Sequence, residues 1–225
     1  TGVFAYSGIL TALEGRRRTG HGDIVRVSLL ETATGLLGYH GVGWLEAGVL
    51  PKREGSGAAH LVPYQVFKCS DGEILTGALN DQTWIKLCHT INRPELADDK
   101  GLASNTGRVE QRDRVIRELN DTFISAPVSE WIARLEKSGV PIAPLHTIDG
   151  ALQHHQIQAN NMVVEIKAQS GKPLKLLGSA FKLDSAANHS NIPPPKLSEH
   201  TREVLAQVLC LATDEIDTLH AQGVV

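Results

Sequence analysis

Apolar and polar positions along the chain follow two rhythms, and the change between them divides it. Over residues 2–18, Phe4, Ile9, Leu10, Ala12 and Leu13 spread beyond one helical stripe, which predicts a helix buried on most sides. Thr19-Gly20-His21-Gly22 ends that helix. Ile24, Val25 and Val27 then predict a short buried strand over residues 23–27. Ser28 and Glu31 have the spacing of a capping box, in which the serine hydroxyl accepts from the Glu31 N–H and the glutamate reaches back. A helix is expected from Leu29 to about Trp44. Helix, tight turn, strand and capped helix, in that order, are the grammar of an α/β layer on a parallel sheet.

Past Gly48 the rhythm changes. PKREGSGAAHLVPYQ reads as loop, and VFKCSDGEILTGA predicts a β-hairpin turning at Asp71-Gly72. Asn80 caps the next helix, where Trp84, Leu87, Cys88 and Ile91 fall at i, i+3, i+4 and i+7. Val115, Ile116, Leu119 and Phe123 mark a second helical face. Trp131, Ile132 and Leu135 mark a third, stopped by Gly139 and Pro141. Residues of about 60–150 therefore read as a small α+β domain inserted after a first α/β segment and linker, residues 1–59. Residues 151–225 return through a proline-rich stretch (Pro193, Pro194, Pro195) to two short helices, 199–209 and 214–221. The sequence shows no internal repeat and no low-complexity segment.

At 225 residues, 41% hydrophobic and 21% charged, the chain has the makeup of one large domain or two small ones. Its formal net charge of −3 argues against a nucleic-acid or membrane-surface partner, which needs clustered positive charge. No apolar run approaches the ~20 residues that span a bilayer. Cys69, Cys88 and Cys210 are odd in number and widely spaced, which fits a reducing compartment, the cytoplasm by default. No Cys/His spacing resembles a metal site.

Candidate chemistry is sparse. Arg16, Arg17 and Arg18 point in three directions on a helix and read as solvated charges favouring its C-terminal dipole. Gly20-His21-Gly22 precedes a strand instead of following one, the wrong order for a dinucleotide loop. Gly55-Ser56-Gly57-Ala58-Ala59-His60 has small residues that let backbone N–H groups approach a ligand oxygen, with a histidine beside them; it reads equally as a flexible linker. His154-His155 reads as a surface pair and His40 as part of a mostly core helix, while Cys69 and Cys88 read as small apolar core residues. No nucleophile–base pair is visible at local spacing.

The ordered series GILTALEGRRRTGHGDIVRVSLLETA, GSGAAHLVPYQVFKCSDGEI, ALNDQTWIKLC, the pair Arg108 and Arg112, VSEWIARLEKSGVPIAPLHTI and PPPKLSEHTREVL resembles the family III CoA-transferases over essentially the whole chain. The resemblance implies an α/β fold, part of a Rossmann-like large domain with an inserted smaller α+β domain. It implies that the chain is the C-terminal half to two-thirds of a family member, in an interlocked homodimer. It places the nucleophilic aspartate three residues before Thr1, with most of the CoA-binding surface also upstream, so that this fragment alone is inactive.

In such enzymes the aspartate attacks an acyl-CoA thioester and forms a mixed anhydride. The released thiolate makes an enzyme–CoA thioester, and an acceptor carboxylic acid reverses the steps. CoA thus enters as a substrate and no metal is implied. The resemblance assigns Gly55, Ser56, Gly57 and His60 to a glycine loop over the site. Leu29 matches a position that packs against CoA in one branch, or else is a core leucine. AAHL stands where relatives read N-x-H-P, and His21 and Asp23 replace a usual Arg and Gln. A 2-methylacyl-CoA racemase branch of the fold carries a Glu where this chain has Ala78-Leu79-Asn80-Asp81-Gln82, and Asn80 supplies no base. Transfer is favoured over racemisation, and a non-catalytic fragment or assembly module remains the other reading.

Overall fold

In the computed structural model, which describes residues 1–168, 170–185 and 192–225, the chain divides after Leu145 into two units, residues 1–145 and 146–225. The first contains α1 (Gly2–Thr19), α2 (Leu29–Gly35), α3 (Tyr39–Ala47), β1 (Tyr64–Lys68), β2 (Glu73–Gly77), α4 (Asp81–Thr90), α5 (Pro94–Asp98), α6 (Asn105–Glu110), α7 (Arg112–Phe123), α8 (Val128–Ser138) and β3 (Ile142–Pro144). The second contains α9 (Ile148–Gln153), α10 (His155–Ala159), β4 (Val163–Lys167), β5 (Pro173–Leu177), α11 (Thr201–Gln207) and α12 (Thr213–Ala221). It is a mixed fold of helices and small sheets.

The core of the first unit lies between Val62 and Val140. β1 and β2 pair antiparallel with Phe67 opposite Ile74, both buried, and β3 joins the far side of β2. The turn does two jobs. Cys69 N–H donates to the Gly72 carbonyl at 2.8 Å and closes it, while the Asp71 carboxylate accepts from Val128 N–H at 2.8 Å. The hairpin turn thereby caps α8, whose preceding Pro127 has no side chain to do so. Asn80 caps α4 through Thr83 N–H at 2.8 Å, as its position predicts. Trp84 and Leu87 from α4, Val115, Leu119 and Phe123 from α7, and Trp131 and Leu135 from α8 then fill the interior. Phe123 stacks between Phe67 and Trp131, at 5.0 and 5.2 Å between ring centroids, and accepts the Trp131 indole N–H on its carbonyl at 2.8 Å.

Residues 1–50 depart from the sequence expectation in three ways. The helix α1 forms and stops at Gly20, yet it has no buried residue: Phe4 and Ile9 are about half exposed. Its chief neighbour is an irregular stretch in which Val25 packs beside Gly8. Residues 23–27 form no strand, and Ile24 is 71% exposed, because no other strand among the described residues lies beside them to complete a ladder. The helix expected over 29–44 breaks in two. Gly38 takes φ 54°, a conformation L residues rarely adopt, and α3 restarts after it. The α3 helix has no buried residue either, so the expected core setting of His40 is not observed. The Ser28 cap does form: Glu31 N–H donates to its hydroxyl at 3.1 Å, and that hydroxyl donates to the Glu31 carboxylate at 2.7 Å.

All strand pairs among the described residues are antiparallel, so the parallel layer expected near the start of the chain is not found there. Ahead of its closing helices the second unit contains α9, α10 and the β4–β5 hairpin, in which Val163 pairs with Leu177 and Lys167 with Pro173. Val164 and Ile166 are its buried positions. The closing helices begin and end within two residues of expectation, and Arg202 on α11 meets Asp217 on α12 at 2.6 Å.

Candidate functional site

The glycine-rich segment 54–62 is tied down at many points and does not behave as a free linker. Gly55 takes φ 62° and turns the chain. Gly57 fits where a side chain would not: an added Cβ would lie 3.1 Å from both the Gln65 side-chain oxygen and the Glu54 carbonyl. Its N–H donates to Glu54 O at 3.0 Å, and Ala58 N–H donates to Tyr64 O at 3.1 Å. The Ser56 hydroxyl accepts from Val66 N–H at 3.1 Å, which fastens the loop to the edge of β1.

The other ties come from α6 and α7. Arg112 Nη2 donates to the carbonyls of Ala58 and Ala59, at 2.8 and 2.7 Å. Its Nε stands 4.0 Å from the Glu54 carboxylate. The Asn105 amide donates to His60 O at 2.9 Å and accepts from Val62 N–H at 3.1 Å. Arg108, fully buried, donates to Val62 O at 2.8 Å and Leu102 O at 2.9 Å, pairs with Asp81 at 2.9 Å, and lies 5.2 Å over the Trp84 ring. A buried guanidinium is tolerable only with its donors used in this way.

Carbonyls of the loop are therefore drawn toward α6 and α7. The N–H groups of Gly57 and Leu61 donate inside the loop, to Glu54 O and Ala58 O, and that of Ala58 donates to Tyr64 O on β1. Those of Ser56, Ala59 and His60 have no hydrogen-bond partner among the described residues. Gly55, Ser56, Ala59 and His60 are all exposed. The His60 ring meets the Tyr39 ring edge-on at 6.1 Å, and Tyr39 in turn lies 4.1 Å from the His40 ring. Chemically, this is a tied loop with unpartnered amide donors on exposed residues beside an imidazole.

The structure keeps Gly55, Ser56, Gly57 and His60 in one tied loop, and Leu29 lies on α2 outside it. Leu29 opens α2 and is 77% exposed, so it is no core leucine among the described residues. No hydrogen bond or ring contact among the described residues ties α2 to the loop. The sequence marks Arg108 and Arg112 only as part of the ordered series, without a role, and does not mark Asn105. The available signal was physical: a run of small residues carries carbonyls with no side chains of its own to satisfy them.

Elsewhere the chemistry is inert or structural. Burial pushes the Cys69 thiol up to about 11 and the Cys88 thiol up to about 12, so neither is a thiolate nucleophile near neutral pH. Asn80 Oδ1 is occupied by the Thr83 N–H and hydroxyl, and Asp81 by Arg108. Arg16, Arg17 and Arg18 occupy the exposed last turn of α1. An open groove of about 780 Å³ runs between α1 and residues 21–26, lined by Arg18, His21 and Arg26 among others, and includes no residue of the glycine loop. His154 and His155 are ring neighbours at 4.3 Å, and no group of three or more metal-ligating side chains is assembled among the described residues.

Over residues 1–201 the chain matches the sequence profile described as CoA-transferase family III. It is 31% identical over 225 residues to the succinyl-CoA:glutarate CoA-transferase of Mus musculus, covering 100% of this chain and 52% of that protein. It is 33% identical over 210 residues to an acyl-CoA transferase of Fusarium pseudograminearum, covering 92% of this chain and 46% of that one. The crystal structure of a CAIB/BAIF family protein from Brucella suis matches with a TM-score of 0.78 at 29% identity, over 92% of this chain and 54% of the other. The chain thus spans about half the length of the curated relatives it matches. No helix among the described residues is long and apolar enough to cross a membrane.

Proposed function

This chain belongs to CoA-transferase family III, and from that premise we propose that the complete protein moves CoA between an acyl-CoA and a carboxylic acid. The nucleophile is an aspartate upstream of Thr1. Its carboxylate attacks the thioester carbonyl, forming a mixed anhydride and expelling CoA thiolate. The thiolate then attacks the aspartyl carbonyl, releasing the first acid and leaving an aspartyl–CoA thioester. The acceptor carboxylate attacks that thioester, and the same steps in reverse deliver CoA to it and restore the aspartate.

Each attack makes an oxyanion, which amide donors held in place beforehand stabilise better than water. The single observation supporting this role is the tied loop 54–62, with carbonyls held toward α6 and α7 and the Ala59 and His60 amides unpartnered. His60 borders the same site, and exposed Leu29 is available to pack against CoA. Succinyl-CoA and glutarate, the pair in the mouse relative's name, are the first substrates to test.

The racemase reading of the same fold lacks a base in its segment. Asn80 is an amide already used as a helix cap, and the neighbouring carboxylate of Asp81 is paired with Arg108. A homodimer is the assembly we propose; the exposed apolar residues of α1, α2 and α3 suit a protein surface that another surface covers.

The test is thioester exchange followed by chromatography, with residues 1–225 and the complete protein side by side. The complete protein should exchange CoA and the shorter chain should not, because loss of a covalent nucleophile costs several orders of magnitude. Comparable turnover by both would place the nucleophile inside this chain and overturn the upstream aspartate. No exchange by the complete protein across a panel of acyl-CoAs with mono- and dicarboxylic acceptors would overturn the transfer reading.

A further inference from the structure

We propose that Arg112 is a positioning residue for the transfer reaction: it sets the glycine loop so that two successive amides face the reacting carbonyl. The inference rests on the transferase reading given above. Arg112 Nη2 reaches the Ala58 and Ala59 carbonyls at 2.8 and 2.7 Å, so one nitrogen holds two neighbouring peptide planes. Both peptide bonds are trans. In a trans peptide the C=O and N–H of one plane point in opposite directions. Drawing the Ala58 oxygen inward therefore turns the Ala59 N–H outward, and drawing the Ala59 oxygen inward does the same for the His60 N–H. Those two amides have no partner among the described residues, as the Ser56 amide has none, whereas the Gly57 amide donates to Glu54 O and the Ala58 amide to Tyr64 O on β1. The Ala58 carbonyl, besides Arg112, also accepts from Leu61 N–H at 3.5 Å.

The contact also acts on the electronics of the amides. A cationic donor on the carbonyl polarises the peptide, which strengthens its N–H as a donor on the other side. Arg112 is only 19% exposed and leans on Glu54, so the charge is anchored behind the loop. A guanidinium suits this task because its N–H donors are fixed in one plane. The next carbonyl, that of His60, is held separately by Asn105 at 2.9 Å, and Val62 by Arg108, so the loop is clamped on the far side of the two amides as well. Arg112 never touches the substrate in this scheme; its effect passes through the backbone.

The experiment compares the complete wild-type protein with Arg112→Ala, Arg112→Lys and, as a control on α8, Arg134→Ala. Steady-state exchange yields kcat and KM, and intact-mass detection of the covalent enzyme–CoA adduct counts active sites. For Arg112→Ala, kcat per active site should fall by about a hundredfold, the usual consequence of misplacing donors by an ångström. The KM for acyl-CoA should stay within about threefold, as expected when only transition-state contacts are lost. Arg112→Lys should recover part of the loss, and Arg134→Ala should match wild type. Should the alanine variant fail to fold, Arg112→Met, which fills similar volume without a donor, carries the same expectation. A kcat per active site within threefold of wild type overturns the inference and leaves the transferase reading standing. A smaller number of active sites working at the normal rate assigns Arg112 a purely structural role and also overturns it. Absence of exchange by the wild-type protein overturns the transferase reading and this inference together.

Discussion

Residues 1–50 and 62–140 belong to the same unit and each contains a helix started by a side-chain cap, yet one stretch is open and the other closed. The helix α2 begins with Ser28 accepting from Glu31 N–H at 3.1 Å, and α4 with Asn80 accepting from Thr83 N–H at 2.8 Å. The local device is the same. Behind it, α4 buries Trp84, Leu87 and Cys88, whereas α2 buries nothing. Leu29 and Leu30 are each 77% exposed, as apolar as anything in the core but without a surface to meet. A formed helix is therefore no sign of a core. Caps and glycines decide where a helix starts and stops, and burial needs a second surface that the helix does not carry, at about 25 cal/mol for each Å² removed from water.

The contrast can be broken most directly by truncating one large side chain in each region. Trp131→Ala removes an indole that is 2% exposed, packed on Phe123 and hydrogen-bonded to its carbonyl, and should lower the unfolding free energy by about 3–5 kcal/mol. Leu30→Ala should change it by less than about 0.5 kcal/mol. Urea denaturation followed by circular dichroism measures both. A large loss on Leu30→Ala would mean that α2 is covered in solution, and would erase the distinction.

A smaller effect sharpens it. Asn80→Ala should cost about 1 kcal/mol of global stability, because the cap it removes starts a helix that is part of the core. Ser28→Ala deletes the same kind of bond, but its effect should stay local: faster amide exchange at Glu31 and Thr32 with little shift in the global midpoint. Hydrogen-exchange mass spectrometry beside a denaturant titration separates the two. Equal global losses would show that residues 1–50 and 62–140 unfold as one cooperative block.

The smallest expected effect is electrostatic and confined to the closed region. The Arg93 guanidinium reaches Glu118 at 2.6 Å and Thr122 at 2.9 Å, and also bonds Glu95. It holds the Glu118 carboxyl below its ordinary value of 4.5. A carboxyl with a lowered folded pKa contributes stability at neutral pH, and the contribution is lost as pH falls through the folded value. Glu118→Gln should therefore be slightly less stable than wild type at pH 7, with the gap closing on acidification below about 4.5. A gap that widens in acid would refute the pairing.

Much of the closed region was legible from residue order. Asp71-Gly72 announced the hairpin, Asn80 the start of α4, and the spacing of Val115, Leu119 and Phe123 the buried face of α7. These signals act within a few residues, so the chain carries them whatever surrounds it. The short helices α5 and α6, the strand β3 and the β4–β5 hairpin went unseen, because each has only three to six residues and too few periods to register. The second task of Asp71, capping α8 from 57 positions away, has no local signature at all.

The site divides along the same line. Gly55, Ser56, Gly57 and His60 stood out by composition, since small residues beside a histidine are what a close-approaching backbone needs. Composition left open whether such a run is a linker or a tied loop. That was decided by Arg112, Asn105 and Arg108, which lie about 45 to 54 positions further along and spend their donors on the loop's carbonyls. The chain's own order determined its caps, turns, helical faces and family, because those rest on neighbours in sequence. Which apolar faces are covered, where the helix from Leu29 breaks, and which amides of the loop are left without a partner were decided only by the tertiary structure, because each depends on surfaces and donors that meet only when the chain has folded.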